Sequence, residues 1–367
     1  MRHLTSNCLK TETERLDLTD TASAQVPSSD FDQFTLNDFR LQCGLVWPRA
    51  NLAYKTYGNL NSDRSNVILY PTSYGAQHMD IDWLIGPDRI LDPTRYFIVI
   101  PNMFGNGLST SPSNCEGLAR LAGSNPFPHV THVDNVNAQR KMLRDVFGIE
   151  QLALAYGWSM GAQQALHWGA LFPASVKRIA AICSSAKTSP HNRVFLEGLK
   201  ATLTTDAAWE DGSFVRRPER ALKAFGRVYA GWALSQAFYR EHIYLSMGYT
   251  SLEDFLVRDW EASFLRRDAA NLLSMLETWM SSDISNNEVY HGNLDAALGA
   301  ITAKTLIMPG QTDLYFTAED SLIEARKITH ARYLPIPSIW GHRAGNPAKN
   351  PADQLFIKSA IADLLND

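Results

Sequence analysis

The sequence predicts an α/β fold: a doubly wound, mostly parallel sheet with a helical cap inserted between two of its strands. Three observations carry this expectation. Short apolar and β-branched runs alternate with helix-spaced segments over residues 67–183. The alternation stops over residues 184–297, where helix-like segments carry many aromatics, and it resumes from residue 305. Strands that alternate with helices build a parallel sheet buried on both faces.

In order along the chain, residues 1–30 are polar, rich in Thr, Ser and Asp and without period, and read as a loosely ordered extension. Residues 39–57 hold two alternating stretches that look like strands broken by Pro48. Strands follow at 67–70 and 96–100, each stopped by a proline, Pro71 and Pro101. Residues 135–147 have helical spacing (Val136, Met142, Leu143, Val146) and end at Gly148. A strand at 152–156, a helix at 160–171 ended by Pro173 and a strand at 176–183 complete the first half of the core. Over 184–297 no convincing strand is visible, and aromatics such as Trp209, Tyr229, Trp260 and Trp279 mark the cap. A strand at 305–309, a helix at 319–328, a strand at 332–336 and a closing helix at 352–365 finish the chain. The expected division is therefore an extension (1–30), a core (31–183 and 298–367) and a cap (184–297).

Composition narrows the function. A net charge of −4, with no basic run longer than a pair such as Arg216-Arg217, leaves no footprint for nucleic acid or an anionic membrane. Four cysteines, Cys8, Cys43, Cys115 and Cys183, stand far apart without a CxxC pair and read as reduced thiols. No apolar leader and no long apolar run is present, so the expected compartment is the cytoplasm.

The stretch "LAYGWSMGAQQAL" carries the chemistry. Gly157-Trp158-Ser159-Met160-Gly161 matches GxSxG at a strand-to-helix seam, the context that raises a serine hydroxyl above the sheet. The turn is too tight for a Cβ on either side, hence the glycines. The Met160 N–H, at the helix start, points to where an oxyanion would form. A serine nucleophile needs a base, and the base an orienting carboxylate. "TLIMPGQTD" supplies Asp313 after one strand and "RYLPIPSIWGH" supplies His342 after the last, in the order this architecture demands. "PTSYGA" offers a second oxyanion donor, the N–H of Ser73 or Tyr74, with Ser73 preferred. His129 and His132 have a metal-like spacing without acidic or cysteine support, so no metal is expected. His78 lies in a loop where a binding role is open. "FGNGLSTS" lacks the lysine of a phosphate loop, and its glycines are expected to let the loop pass beside the site.

Four blocks in order, "WLIGPDRILDPTRYFIVIPNMFGNGLSTSPSN", "FPHVTHVDNVNAQRKMLRDVFGIEQLALAYGWSMGAQQALHW", "DAANLLSML" and "GQTDLYF…GH", resemble the homoserine O-acetyltransferase family of α/β-hydrolases, from about residue 45 to the C-terminus. The resemblance implies an α/β-hydrolase fold, Ser159 as nucleophile with Asp313 and His342, a helical cap, and a homodimer through cap helices. Departures bear on the substrate. The family's elbow reads GGSMGG, whereas Trp158 and Ala162 stand here, giving a bulkier pocket floor. The family's Asp after the catalytic His, which binds the homoserine ammonium, is here Arg343, which would repel it. The family's carboxylate-binding Arg aligns with Lys200, which keeps the charge without the bidentate fork. A pocket of Tyr74, Trp158, Lys200 and Arg343 with cap aromatics suits a small neutral ester, as in the homoserine-acetyltransferase-like esterases.

The leading expectation is thus a serine carboxylesterase for short acyl esters, needing no cofactor and no partner beyond its small-molecule substrate. An acetyl-CoA-dependent O-acetyltransferase acting on homoserine or another hydroxyl is the alternative, with acetyl-CoA as acyl donor only in that case. A non-catalytic scaffold of the same fold is the third reading.

Overall fold

The computed structural model describes residues 30–115 and 127–367. The expected N-terminal extension, with Cys8, lies outside the described residues apart from Asp30. Among the described residues, one eight-stranded sheet runs in the order β1-β2-β4-β3-β5-β6-β9-β10. Its strands are β1 (Asp32–Arg40), β2 (Val46–Tyr57), β3 (Val67–Leu69), β4 (Phe97–Pro101), β5 (Leu154–Trp158), β6 (Arg178–Ile182), β9 (Lys304–Met308) and β10 (Ala331–Tyr333). The β1–β2 and β2–β4 pairs are antiparallel and the others parallel.

Successive side chains of a strand face opposite layers, and β3 shows it: Val67 and Leu69 join one buried cluster, Ile68 and Tyr70 another. Burial on both faces explains why these strands read as continuous apolar runs rather than alternating ones. Pro48 does not break β2 as expected. The register pairs Asn37 with Arg49 and Phe39 with Trp47, while Asp38 turns aside at φ 50°. The ladder thus skips the place where proline has no N–H to give.

The core helices are α1 (His78–Ile81), α2 (His132–Phe147), α3 (Met160–Leu171), α12 (Ala318–Ala325) and α13 (Pro351–Asn366). Thr131 caps α2 by accepting from Asp134 N, and Gly148 ends it at φ 63°. Helix α2 starts three residues before its expected position because His132 and Asp134 are buried in its first turn.

Between β6 and β9 the chain leaves the sheet. It forms α4 (Pro190–Thr204), α5 (Glu219–Ala233), α6 (Gln236–Arg240), α7 (Ile243–Ser246) and α8 (Leu252–Phe255). A π-helical turn at Leu256–Glu261 leads into α9 (Ala262–Leu265), followed by α10 (Ala269–Met280) and α11 (Leu294–Gly299). The segment is not wholly helical. A two-stranded ribbon, β7 (Trp209–Glu210) with β8 (Ser213–Phe214), corrects the expectation of no strand. Strands of two residues leave no period to detect. These helices pack around their own aromatic cluster, including Phe195, Phe225, Tyr229 and Trp279. The chain departs and returns along a short neck: Thr188 N donates to Ser282 O (2.9 Å) and Ile284 N to Ala186 O (3.0 Å). Glu324 of α12 accepts from Ala186 N at 2.8 Å and anchors the neck to the core.

Candidate active site

The strand order places the site. From β3 the chain crosses to β4 on one side, then returns past β3 to β5 on the other. In open α/β sheets the crevice beyond the strand ends at such a reversal receives ligands. The loop after β3 carries Ser73 and Tyr74, and the turn after β5 carries Ser159.

Ser159 joins β5 to α3 with φ 58° and ψ −131°, a conformation that costs strain energy for a residue with a Cβ. Its neighbours hold it there. Ser159 N donates to Ile182 O at 3.0 Å, and Ser184 Oγ donates to Ser159 O at 2.9 Å. A Cβ on Gly157 would lie 2.3 Å from Ala162 N, and one on Gly161 would lie 2.5 Å from Pro71 O. Both glycines are required by close approach, as the motif implied. Met160 is the first residue of α3, so its N–H lies outside the helical ladder. The Ser73 hydroxyl donates to Trp158 O and accepts from Gly161 N at 3.4 Å, which ties the β3 loop to the elbow.

His342 lies in the short turn Gly341–Gly345 and is 3% exposed. Its Nδ1 is 2.7 Å from Asp313 Oδ2. Asp313 Oδ1 accepts from the N–H groups of Tyr315 and Phe316, each at 3.1 Å. Asp313 is therefore both a turn residue and the partner of His342. Thr312 Oγ1 accepts from Gly341 N (3.1 Å) and donates to Ser338 O (2.9 Å), joining the two loops. With Nδ1 turned to a carboxylate, Nε2 is the nitrogen left for a substrate or a hydroxyl. Aromatic rings enclose the imidazole: Tyr315 at 4.4 Å, Trp158 at 4.9 Å and Phe316 at 5.5 Å between centroids.

Cys183 brings a third ligand-type atom close, since its Sγ and the Asp313 and His342 atoms lie within 4.8 Å of one another. Burial, then the Asp313 charge, push its thiol well above the ordinary range. A protonated thiol is a poor metal ligand, and the His342 Nδ1 already serves Asp313.

Of the expected pocket residues, Tyr74 fits an aromatic wall reaching the site. It stacks on Tyr229 at 6.0 Å, and Tyr229 meets Tyr315 at 6.3 Å. Trp158 turns its indole onto His342, with ring centroids 4.9 Å apart. Lys200 pairs with Glu277 at 2.6 Å. It lines a cleft of about 1180 Å³ with Trp209, Phe214 and Arg217, and none of Ser159, Asp313 and His342 lines that cleft. Arg343 is present beside His342 but not as an unbalanced cation. Its Nη1 is 2.7 Å from Asp259 Oδ2, and its guanidinium lies 4.2 Å from the Trp260 ring.

The histidines His132, His129 and His78 each find a partner within the protein. His132 Nε2 meets Gln163 Oε1 at 3.2 Å, whereas His129 Nε2 meets Ser281 Oγ at 3.0 Å, so the two do not converge on a metal. His78 is fully buried at the start of α1, with Nδ1 at 3.3 Å from Asn102 Nδ2. Gly105 and Gly107 abut Met275 and Asn271 of α10, which places that loop against an inserted helix.

A serine on a strained elbow, a histidine bound to a carboxylate, and this strand order agree with what comparison finds. The alpha/beta hydrolase fold family matches residues 75–338. The chain belongs to that family. It is 38% identical to the ethyl acetate hydrolase of Pseudomonas veronii over 85% of this chain and 89% of that one. The crystal structure of an acetylester hydrolase from Corynebacterium glutamicum superposes with a TM-score of 0.87 at 33% identity, covering 92% of this chain and 96% of the other. The homoserine O-acetyltransferase of Geobacter sulfurreducens is 28% identical over 84% of this chain and 90% of its own. Asp259, Tyr315 and Phe316 carry no sequence expectation as site residues, and Trp260 is expected only as one of the cap aromatics. The aromatic pair Tyr315-Phe316, separated from Asp313 only by Leu314, was the one local signal near the triad acid.

Proposed function

We propose that this protein is a serine carboxylesterase hydrolysing short-chain acetate esters of small alcohols. The observation that carries this reading is the 2.7 Å bond from His342 to Asp313, together with a serine held at φ 58° on the strand-to-helix turn. His342 Nε2 takes the Ser159 proton as Oγ attacks the ester carbonyl, and the N–H groups of Met160 and Ser73 receive the oxyanion. Collapse of the tetrahedral intermediate breaks the bond to the alkoxy oxygen, which takes the proton from His342 and leaves as the alcohol. Water, deprotonated by His342, then attacks the acetyl-serine, and Ser159 leaves with the proton. Every acid, base and donor in this cycle is a residue of the chain, so the mechanism calls for no cofactor.

The ion pair of Arg343 with Asp259 supports a neutral substrate, because neither charge is left to recognise an amino acid. A homodimer through the inserted helices is part of the reading, supported by exposed Leu245 (48%), Leu252 (44%) and Val257 (41%) on consecutive helical segments. A cytoplasmic location belongs to it as well. Among the described residues no helix is long and apolar enough to cross a membrane.

The test is a parallel assay of acetate release from ethyl acetate and of acetyl transfer from acetyl-CoA to homoserine, with Ser159→Ala as control. Hydrolysis lost in Ser159→Ala is expected. Transfer without hydrolysis by the pure protein would replace this reading with the acyltransferase.

A further inference from the structure

Trp158 occupies a position no hydrolytic step requires, yet three contacts converge on it. Its main chain ends β5 immediately before Ser159, and its carbonyl accepts the Ser73 hydroxyl. Its indole Nε1 donates to the backbone carbonyl of His342 at 3.2 Å. Its ring covers the imidazole at 4.9 Å and 31°. One residue is thus bonded through its backbone to the nucleophile and through its side chain to the main chain of the base.

The seat for this indole is made by Gly345, three residues after His342. A Cβ there would lie 2.5 Å from Trp158 Cδ1, 2.9 Å from its Nε1 and 2.7 Å from Cys183 Sγ. The imidazole also meets Tyr315 and Phe316, whose backbone N–H groups hold Asp313. The Asp313 bond fixes the direction of the His342 ring but not how far its loop stands from β5. Trp158 supplies that second constraint, since an indole is rigid and its length sets the separation.

We infer that Trp158 is a positioning residue, a strut that sets the distance between Ser159 and His342, rather than a wall of the substrate pocket. The inference rests on the proposed triad and deepens it. It is general that small displacements of a catalytic group lower turnover steeply, about a hundredfold for roughly 1 Å. A strut and a pocket wall differ in what they change. Loss of a strut lowers kcat and leaves KM and acyl-chain preference as they were, because substrate contacts persist. Loss of a wall changes KM and chain preference.

The experiment compares Trp158→Phe, which keeps a ring over the imidazole and removes the N–H donor, with Trp158→Leu and with Gly345→Ala, which crowds the indole from the other side. Acetate, propionate and butyrate esters of ethanol are assayed, and labelling of Ser159 by a fluorophosphonate is timed. Expected are a kcat about tenfold lower for Trp158→Phe and about a hundredfold lower for Trp158→Leu and Gly345→Ala, each with KM within about twofold of wild type and chain preference unchanged. Labelling is expected to slow in the same order. An unchanged kcat in a folded Trp158→Phe, or a shifted chain preference at constant kcat, overturns the strut. Thermal denaturation confirms folding, and Trp158→Phe serves as the mild variant if either larger change unfolds the chain. A wild-type protein that neither hydrolyses the esters nor labels at Ser159 fails the proposed function instead, so the two failures are distinct.

Discussion

Arg343 and Asp259 meet with Nη1 and Oδ2 2.7 Å apart, joining the turn that carries His342 to the π-helical turn at Leu256–Glu261. The Trp260 ring under the guanidinium, at 4.2 Å, makes the pair a sandwich of charge and aromatic face. Their side chains are 24% and 19% exposed, so each charge is partly withdrawn from water.

Removing one partner therefore leaves the other poorly solvated. Arg343→Ala and Asp259→Asn are each expected to destabilise the protein by about 1–3 kcal/mol, less than a fully buried pair would lose. The double variant should lose clearly less than the sum, as read from denaturant midpoints. Arg343→Asp places two carboxylates together and is expected to gain no homoserine acetylation. Such a gain would show that Asp259 does not govern this corner.

Asp313→Asn tests the orientation of the base. The Asn oxygen can keep the bonds from Tyr315 and Phe316, so folding is expected to survive. Its amide then faces the histidine as a donor and selects the wrong tautomer. Turnover should fall by about 10⁴ with stability nearly unchanged. A loss below about tenfold would remove Asp313 from this role.

Gly161→Ala puts a methyl 2.5 Å from the Pro71 carbonyl, a backbone atom that cannot rotate away. The elbow and the β3 loop must separate, which also strains the Ser73 link to Trp158. A loss of about 1–3 kcal/mol in stability is expected, with a larger proportional loss in acetate release than in global stability. Full activity would mean that the β3 loop contributes no oxyanion donor at a fixed distance.

Acid stability should report on two buried histidines, His132 in the first turn of α2 and His167 within α3. Burial lowers His132 to about 3, assisted by its neighbour His167, and lowers His167 to about 4. An unfolded histidine titrates near 6.5, so below that pH the unfolded chain binds more protons than the folded one. Stability is full above pH 6.5 and is lost as pH falls toward 4, with a cost of about 2 kcal/mol per histidine at pH 5. The slope of unfolding free energy between pH 6.5 and 5 checks this, and His167→Gln should flatten it.

How much of this was legible depended on sequence distance. The elbow is local: five residues fix its turn, and the expected helix 160–171 coincides with α3. Asp313 and His342 were legible through chain order, because each follows a strand whose place in the sheet is set by the pattern. Asp259 was not, since nothing near it signals Arg343 and the two meet only once the inserted helices fold over. The partner of Lys200, Glu277, was not legible for the same reason, since the two meet only in three dimensions. Pro48 misled because a strand can carry a proline where its neighbour turns aside.

The neck at Ala186 and Ile284 brings the two ends of a long excursion side by side. Closing such a loop costs an entropy that grows only with the logarithm of its length. Lineages can therefore lengthen, trim or reshape the inserted segment without disturbing a single strand register of the sheet. In this architecture, acceptor choice and hydrolytic machinery are free to evolve at different speeds.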